Sequence, residues 1–341
     1  MQAGSRRVRR TRTGRVDSAC RPTRLRSTPD EGRARAVLAA LNLDGAALSP
    51  IGLGLSSEAW LVEDAARRSV LRMALQGQAR PSTYEQEHAI MAELAARGGP
   101  VPAPVLGSWE VAGWSGAPWS LTTYAPGVSL QPGSRSWAAP LVGAFVGRLR
   151  AIPVTGFGPI GEGGGTLTGL AAEPIAGVRA WMDGDPFWPF DGTRLADHPA
   201  LFGRPDLARA IETQAGMIEE AARAGPVTLI HADIHEENIL EDGRRMTFID
   251  FGEAFIGARD WEHATLAYFM GWDFADRAIG ALGSDPGRSA ALGLSFGVHR
   301  WRQDRRMGLD EDAYNESFLR STLARLAGPD VDIAGADSSR T

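Results

Sequence analysis

The chain has 341 residues, of which 43% are hydrophobic and 23% charged, a length that exceeds one ordinary core and a balance normal for a globular protein. No stretch approaches eighteen consecutive apolar residues, which sets aside a membrane-spanning helix, and the only cysteine, Cys20, excludes an internal disulfide framework and any cysteine-built zinc site and fits a reducing cytoplasm. Residues 1–30 hold nine arginines against Asp17 and Asp30, a net of +7, while the remainder sets 27 arginines against 39 acids, a net of −12; all 36 basic residues are arginine.

The basic head has no apolar periodicity and no interleaved aromatics. It is expected to be a disordered extension, not a nucleic-acid arm. Arg6-Arg7 and Arg9-Arg10 are followed by no apolar segment, so no export signal is expected. Order is predicted to begin near Asp30, with a helix over 33–41. Pro50 to Glu58 reads as a glycine-bearing loop. Ala59–Val62 and Ser69–Met73 read as strands around a turn, and Tyr84–Arg97 as an amphipathic helix with Ile90, Met91, Leu94 and Ala95 inward. Two further strands are predicted over 105–109 and 118–124. Helices follow at 137–151, 205–224, 259–271, 286–300 and 311–327, interrupted by a Gly/Pro/Trp-rich stretch from 153 to 200. Residues 329–341 are expected to fray.

The informative segment runs from Thr228 to Gly252. It contains His231-Ala-Asp233-Ile-His-Glu-Glu-Asn238 and Asp250-Phe-Gly252. Asp242-Gly243 between two apolar runs signals a hairpin, which returns Asp250 to the neighbourhood of Asn238. Asp233 lies in the loop just before the hairpin. Two carboxylates and a carboxamide thus converge. Phosphoryl transfer from ATP needs such a set: oxygen ligands for Mg2+, here Asn238 and Asp250, and a separate carboxylate, Asp233, to orient the attacking hydroxyl and accept its proton. The five-residue spacing from Asp233 to Asn238 and the literal Asp-Phe-Gly match the kinase catalytic loop.

The segment resembles the aminoglycoside phosphotransferase and choline kinase-like group, whose usual string is H-G-D-x-H-x-x-N followed by a D-F or D-W strand end; the likeness extends more faintly over 45–325. The resemblance implies a two-lobed α+β architecture of protein-kinase type. A β-rich, nucleotide-binding N-lobe would occupy 31–124, and a mostly helical, catalytic and acceptor-binding C-lobe 125–328. It implies Asp233 as base, Asn238 and Asp250 as metal ligands, and His231 as a brace for the loop. Gly257 to Glu262 is similar to the family's G-D-x-x-x-D segment, with Glu262 in a structural aspartate's place. Ala232 stands where glycine is common and is expected to change little, and Glu236-Glu237 replaces Pro-Gly, adding negative charge that either faces a cationic substrate or is solvated. Backbone at Thr123 and Ala125, in the expected hinge, would meet adenine.

The rest of the nucleotide site is drawn from single residues. Gly52, Gly54 and Ser56 would let backbone amides approach phosphates, or form an ordinary turn. Arg72 is the candidate cation for the α/β-phosphates in a chain without lysine, with Arg68 as competitor; Glu87 is its candidate partner against Glu85 and Glu93. Asp260-Trp-Glu262 and Trp181 to Trp188 either line an acceptor pocket or pack the core. Arg300, Arg302, Arg305 and Arg306 are expected on a solvated helix face. A hydrolase metal cluster at His231, Asp233 and His235 lacks a third ligand group. The expectation is a cytoplasmic small-molecule kinase, monomer or homodimer, with no nucleic-acid or membrane partner. The acidic body favours an aminoglycoside-like acceptor by electrostatic focusing. A choline-like amino alcohol, a sugar or a homoserine-like metabolite are the alternatives, and a catalytically silent pseudokinase is the alternative of another class.

Overall fold

The computed structural model describes residues 29–53, 57–75, 81–161, 166–182 and 187–328; the expected basic extension (apart from Pro29 and Asp30), the frayed tail, Gly54 and Ser56 lie outside the described residues.

The chain begins with helix α1 (Glu31–Ala40), capped by the Asp30 carboxylate on the Arg33 amide. Strands β1 (Ala47–Leu53), β2 (Ser57–Glu63) and β3 (Arg68–Ala74) follow, then helix α2 (Pro81–Ala96) and strands β4 (Pro104–Gly107) and β5 (Trp119–Thr123). The strands form one antiparallel sheet in the order β1-β2-β3-β5-β4. The expected glycine loop at Pro50–Leu53 is instead part of β1. Its proline is tolerated because β1 is an edge strand, and the register shifts between Pro50 and Gly52. Alternation along β2 and β3 turns Trp60, Val62, Leu71 and Met73 inward, and these pack with Val37 and Leu38 of α1 into a small core of their own.

Helix α2 belongs elsewhere. Its Ile90, Met91 and Leu94 enter the larger core, and Gln86 bridges the Ala254 carbonyl (2.8 Å) and the Ile160 amide (3.0 Å). The sheet-side helix is thereby fastened to the body of the molecule.

The body starts with β6 (Val128–Ser129) and α3 (Arg135–Arg150). Within the stretch expected to be irregular lie β7 (Val154–Thr155), β8 (Phe157–Ile160), β9 (Leu167–Ala171) and α4 (Pro174–Trp181). The predicted 205–224 helix is two, α5 (Pro205–Glu212) and α6 (Ala215–Arg223); the Thr213 hydroxyl bonds back to the Ala210 carbonyl at the break. Strand β10 (Val227–Ile230), the hairpin β11 (Ile239–Glu241) and β12 (Met246–Phe248), and β13 (Phe255–Ala258) precede α7 (Asp260–Met270), α8 (Trp272–Ile279), α9 (Pro286–Arg306) and α10 (Asp312–Ala327). Gly271, at φ 86°, separates α7 from α8. Strand β10 pairs with β13, and β6 joins the hairpin in the order β12-β11-β6. Gly127 makes that second junction possible: a Cβ there would lie 2.7 Å from the Glu241 carbonyl oxygen. The hairpin is therefore held on both sides, which fixes the loops that enter and leave it.

Candidate active site

The loop after β10 is built on a buried histidine. His231 is fully buried against Phe251 (ring centroids 4.6 Å) and Phe145, its amide donates to Glu262 Oε2 (2.6 Å), and its Nδ1 accepts from the Asp233 amide (3.3 Å). Burial pushes its pKa down to about 4, so the ring is neutral near pH 7 with the proton assigned to Nε2. Burial pushes Glu262 up to about 7, against the amide bonds from His231 and Ala232 and the charge of Arg150. Between these anchors Ala232 adopts φ 66°, a left-handed conformation that glycine takes freely and alanine does not. Its replacement of glycine is thus a local strain, contrary to the expectation that it changes little.

The loop delivers Asp233, half-buried, to Asn238. Asn238 Nδ2 donates to Asp233 Oδ2 (2.9 Å) and to the Asp233 carbonyl (3.0 Å), which turns its Oδ1 away from Asp233. The Ile249 amide donates to the Asn238 carbonyl (3.1 Å) across the hairpin, carrying Asp250 to the same place. Asp250 sits at φ 65°, a second non-glycine residue in the left-handed region, where strain costs about 1–3 kcal/mol and clusters at functional sites.

From the sheet, Arg72 on β3 reaches Glu87 Oε2 with Nη1 (2.5 Å) and Asp250 Oδ1 with Nη2 (3.3 Å), and its guanidinium lies 5.7 Å from the Tyr84 ring centroid. Burial works against the Arg72 charge, but Asp250 and Glu87 more than offset it and raise its pKa. Burial pushes Glu87 up to about 7, with Arg72 opposing. Burial likewise acts to raise Asp250, yet Arg72 holds its carboxyl below the ordinary value. The competitors are occupied elsewhere: Arg68 with Glu63 (2.9 Å) and Glu93 with Arg97 (3.5 Å). Gly52 pairs with Ala59 inside the sheet. The Thr123 amide donates to the Ala103 carbonyl (2.9 Å), so any base contact of its backbone falls to its carbonyl; Ala125 follows, half-buried, just past the strand.

Several expectations change. Glu236 is ion-paired with Arg135 and is not an acid held open for a cation, while Glu237 is exposed. Asp260 is buried on Arg288 (2.7 Å), Trp261 is fully buried, and Trp181 stacks on Phe255 (3.9 Å), so these pack the core. Residues 183–186 of the tryptophan-rich stretch lie outside the described residues. Arg300 is not on a solvated face: it is half-buried among Tyr268, Asp304, Asp233 and Glu253. Glu253, just after the Asp-Phe-Gly, is a residue sequence reasoning missed. Burial and then the Asp233 charge push its carboxyl up to about 7, against Arg300, while its carbonyl accepts from Trp181 Nε1 (2.9 Å). A signal for Arg300 existed, since it follows Leu292 and Phe296 at four-residue spacing on the helix's inward stripe. Among the described residues no group of three or more His, Cys, Asp or Glu side chains is arranged to hold a metal by itself.

A small antiparallel sheet with one anchored helix, set on a helical body that presents the Asp233–Asn238 loop beside Asp-Phe-Gly, defines a kinase-like phosphotransferase. The phosphotransferase enzyme (APH) family model matches residues 47–294, and the chain belongs to that family; it is a small-molecule kinase. The fold is shared with a thermostable mutant of aminoglycoside phosphotransferase APH(4)-Ia in ternary complex with AMP-PNP and hygromycin B (19% identity, TM-score 0.66, covering 86% of this chain and 98% of that one). It is shared too with a microcompartment-associated aminopropanol kinase (17%, 0.56, 86% and 95%) and a choline/ethanolamine kinase family protein from Mesorhizobium loti (19%, 0.54, 88% and 95%). Comparison with curated proteins finds no match. No helix among the described residues is long and apolar enough to cross a membrane.

Proposed function

We propose that the chain transfers the γ-phosphate of ATP, with Mg2+, to a hydroxyl group of a small molecule, with Asp233 as the base. The observation that carries this reading is the orientation of Asn238: its amide nitrogen is spent on Asp233, so its carbonyl oxygen is left to face a cation together with Asp250. A donor pair made of a carboxamide oxygen and a carboxylate suits a hard divalent ion better than it suits zinc. Asn238 and Asp250 would hold the ion, and Arg72, kept charged by Glu87 and Asp250, would take the α/β-phosphates. The chemistry that Mg2+ would supply when held there is neutralisation of the charge on the transferring phosphoryl group. Among the described residues Asp233 has no arginine in direct contact; its neighbours are the Asn238 amide and, at 3.6 Å, His235 Nε2, which leaves it to orient an acceptor hydroxyl and take its proton. The fold neighbour solved with AMP-PNP supports the nucleotide, and the acceptors named for the neighbours support a small molecule.

The test is ADP release by purified protein against aminoglycosides, macrolides, amino alcohols, sugars and hydroxy acids, with and without chelation of the metal. Asp233→Ala is expected to lower transfer by about 10²- to 10⁴-fold while sparing nucleotide binding. Unchanged transfer in that variant would sink the mechanism. Nucleotide binding without transfer to any acceptor, in wild type and variant alike, would instead establish a pseudokinase.

A further inference from the structure

Arg300 lies in the interior of α9 between two buried residues, His299 and Trp301. Among the described residues no carboxylate comes within 4.0 Å of its guanidinium. Nη1 donates to Gln303 Oε1 (3.1 Å), the guanidinium also bonds to the Tyr268 hydroxyl, and Nε is buried without a hydrogen-bond partner among those residues. The guanidinium sits 5.5 Å from the Phe269 ring centroid; the same ring is 5.4 Å from the His235 ring, whose Nε2 is 3.6 Å from Asp233. A continuous row, Asp233–His235–Phe269–Arg300, thus runs from the proposed base into the helical body. The nearby acids do not neutralise Arg300 by contact. Asp304 instead accepts from Asn315 Nδ2 (3.0 Å) and the Tyr268 hydroxyl (3.4 Å). Further arginines, Arg302 and Arg306, lie along the same helix and, with burial and Arg300, keep His299 uncharged, its pKa pushed down to about 3. A half-buried guanidinium held by a carboxamide and a phenol has no anion in contact, and with Nε enclosed a ligand carboxylate would meet its Nη groups.

We propose that Arg300 receives a carboxylate of the acceptor, so that the substrate is a small hydroxy acid whose carboxylate lies on Arg300 while its hydroxyl lies at Asp233. This rests on the kinase reading above and narrows it, departing from the amine acceptors named for the fold neighbours. In the transfer, the acceptor oxygen bonds to the γ-phosphorus as the bond from that phosphorus to the β–γ bridging oxygen breaks. The hydroxyl proton passes to Asp233 and ADP leaves.

The experiment uses the full chain with Mg·ATP and measures ADP release with matched pairs: L-serine and ethanolamine, L-homoserine and 3-aminopropanol, D-glycerate and ethylene glycol, with hygromycin B beside them. Members bearing a carboxylate are expected to be phosphorylated and their decarboxylated partners not. Arg300→Met should raise KM for the carboxylate acceptor by on the order of 10- to 100-fold, with a smaller change in kcat and none in KM for ATP. Arg300→Lys, which keeps the charge and guards against a folding defect, should recover part of that loss; circular dichroism melting checks both variants. Transfer only to amines or neutral alcohols, or an unchanged acceptor KM in Arg300→Met, overturns the assignment. If nothing in the panel is phosphorylated, acceptor-free ATP hydrolysis and nucleotide binding decide. Their presence, unaffected by every carboxylate, removes the Arg300 assignment and leaves the kinase reading standing. The absence of both removes the kinase reading and the assignment with it.

Discussion

Replacing Arg72 with Met removes a cation that touches both Glu87 (2.5 Å) and Asp250 (3.3 Å). The Glu87 side chain is 3% exposed, so it cannot recover hydration, whereas Asp250 at 41% can, and its share is discounted. In the wild type burial has pushed the Glu87 carboxyl up to about 7 against the pull of Arg72. A carboxyl with a raised folded pKa contributes stability that is full below its unfolded value near 4.5 and is lost as pH climbs through the folded value. In the wild type that decline levels off near pH 7; without Arg72 the folded pKa is higher still and the decline continues. The variant should therefore fall behind the wild type by about 1.4 kcal/mol for each pH unit above 7, or about 2 kcal/mol at pH 8.5. The lost hydrogen bond adds about 1 kcal/mol at every pH. Urea unfolding at pH 6 and pH 8.5 measures both parts, and KM for ATP should rise in parallel. An equal deficit at the two pH values would refute the argument that a buried, desolvated Glu87 is what Arg72 compensates. Arg72→Lys keeps the charge without the fork, so it should retain the Glu87 contact and lose the simultaneous reach to Asp250.

Glu262→Gln preserves an acceptor for the His231 amide while removing a carboxyl that burial has pushed up to about 7. Wild-type stability relative to this variant should drop by about 2–3 kcal/mol between pH 4.5 and pH 8, and melting temperatures across that range read it; a pH-independent difference would exclude desolvation as the cause. Ala232→Gly should stabilise by about 0.5–1 kcal/mol, because relief of the left-handed strain at φ 66° exceeds the added backbone entropy of the unfolded chain. Destabilisation in urea would show that the Ala232 side chain supports the loop.

What could be read without a structure is what local chemistry states twice. The catalytic hairpin is announced by Asp242-Gly243 and again by the Asp233-to-Asn238 spacing, and β11 and β12 pair accordingly. Arg72 stood out as one charge in an apolar strand. Choosing Glu87 over Glu85 and Glu93 is harder, since helix periodicity sets Glu87 on another side from both without saying which side meets β3; the side chain that settles α2 on the body is Gln86, through bonds to Ala254 and Ile160 that no local pattern signals. Strands β7 to β9 were hidden for a different reason. They are two to five residues long and rich in glycine, so they exist only through their neighbours.

Arg300 shows how one reading can obscure another. Four arginines within seven residues look like a solvated face, and Arg306 is indeed exposed. A helix nevertheless sorts residues by angle and not by sequence proximity, and Arg300 shares its angle with Phe296 and Leu292. The same reasoning separates the two halves of the site. The proposed phosphate half is made by contiguous motifs whose spacing the hairpin constrains, so it can be read in one chain. The surroundings of the proposed acceptor side are single residues from α7, α9 and the turn after Asp-Phe-Gly: Phe269, Arg300 and Glu253. Nothing in their order along the chain requires them to meet. An overall charge of −12 on residues 31–341 therefore carries little weight against one half-buried arginine on the base's side of the body, because screening confines the field of distant surface acids to about 10 Å at ordinary ionic strength while a half-buried charge is screened much less.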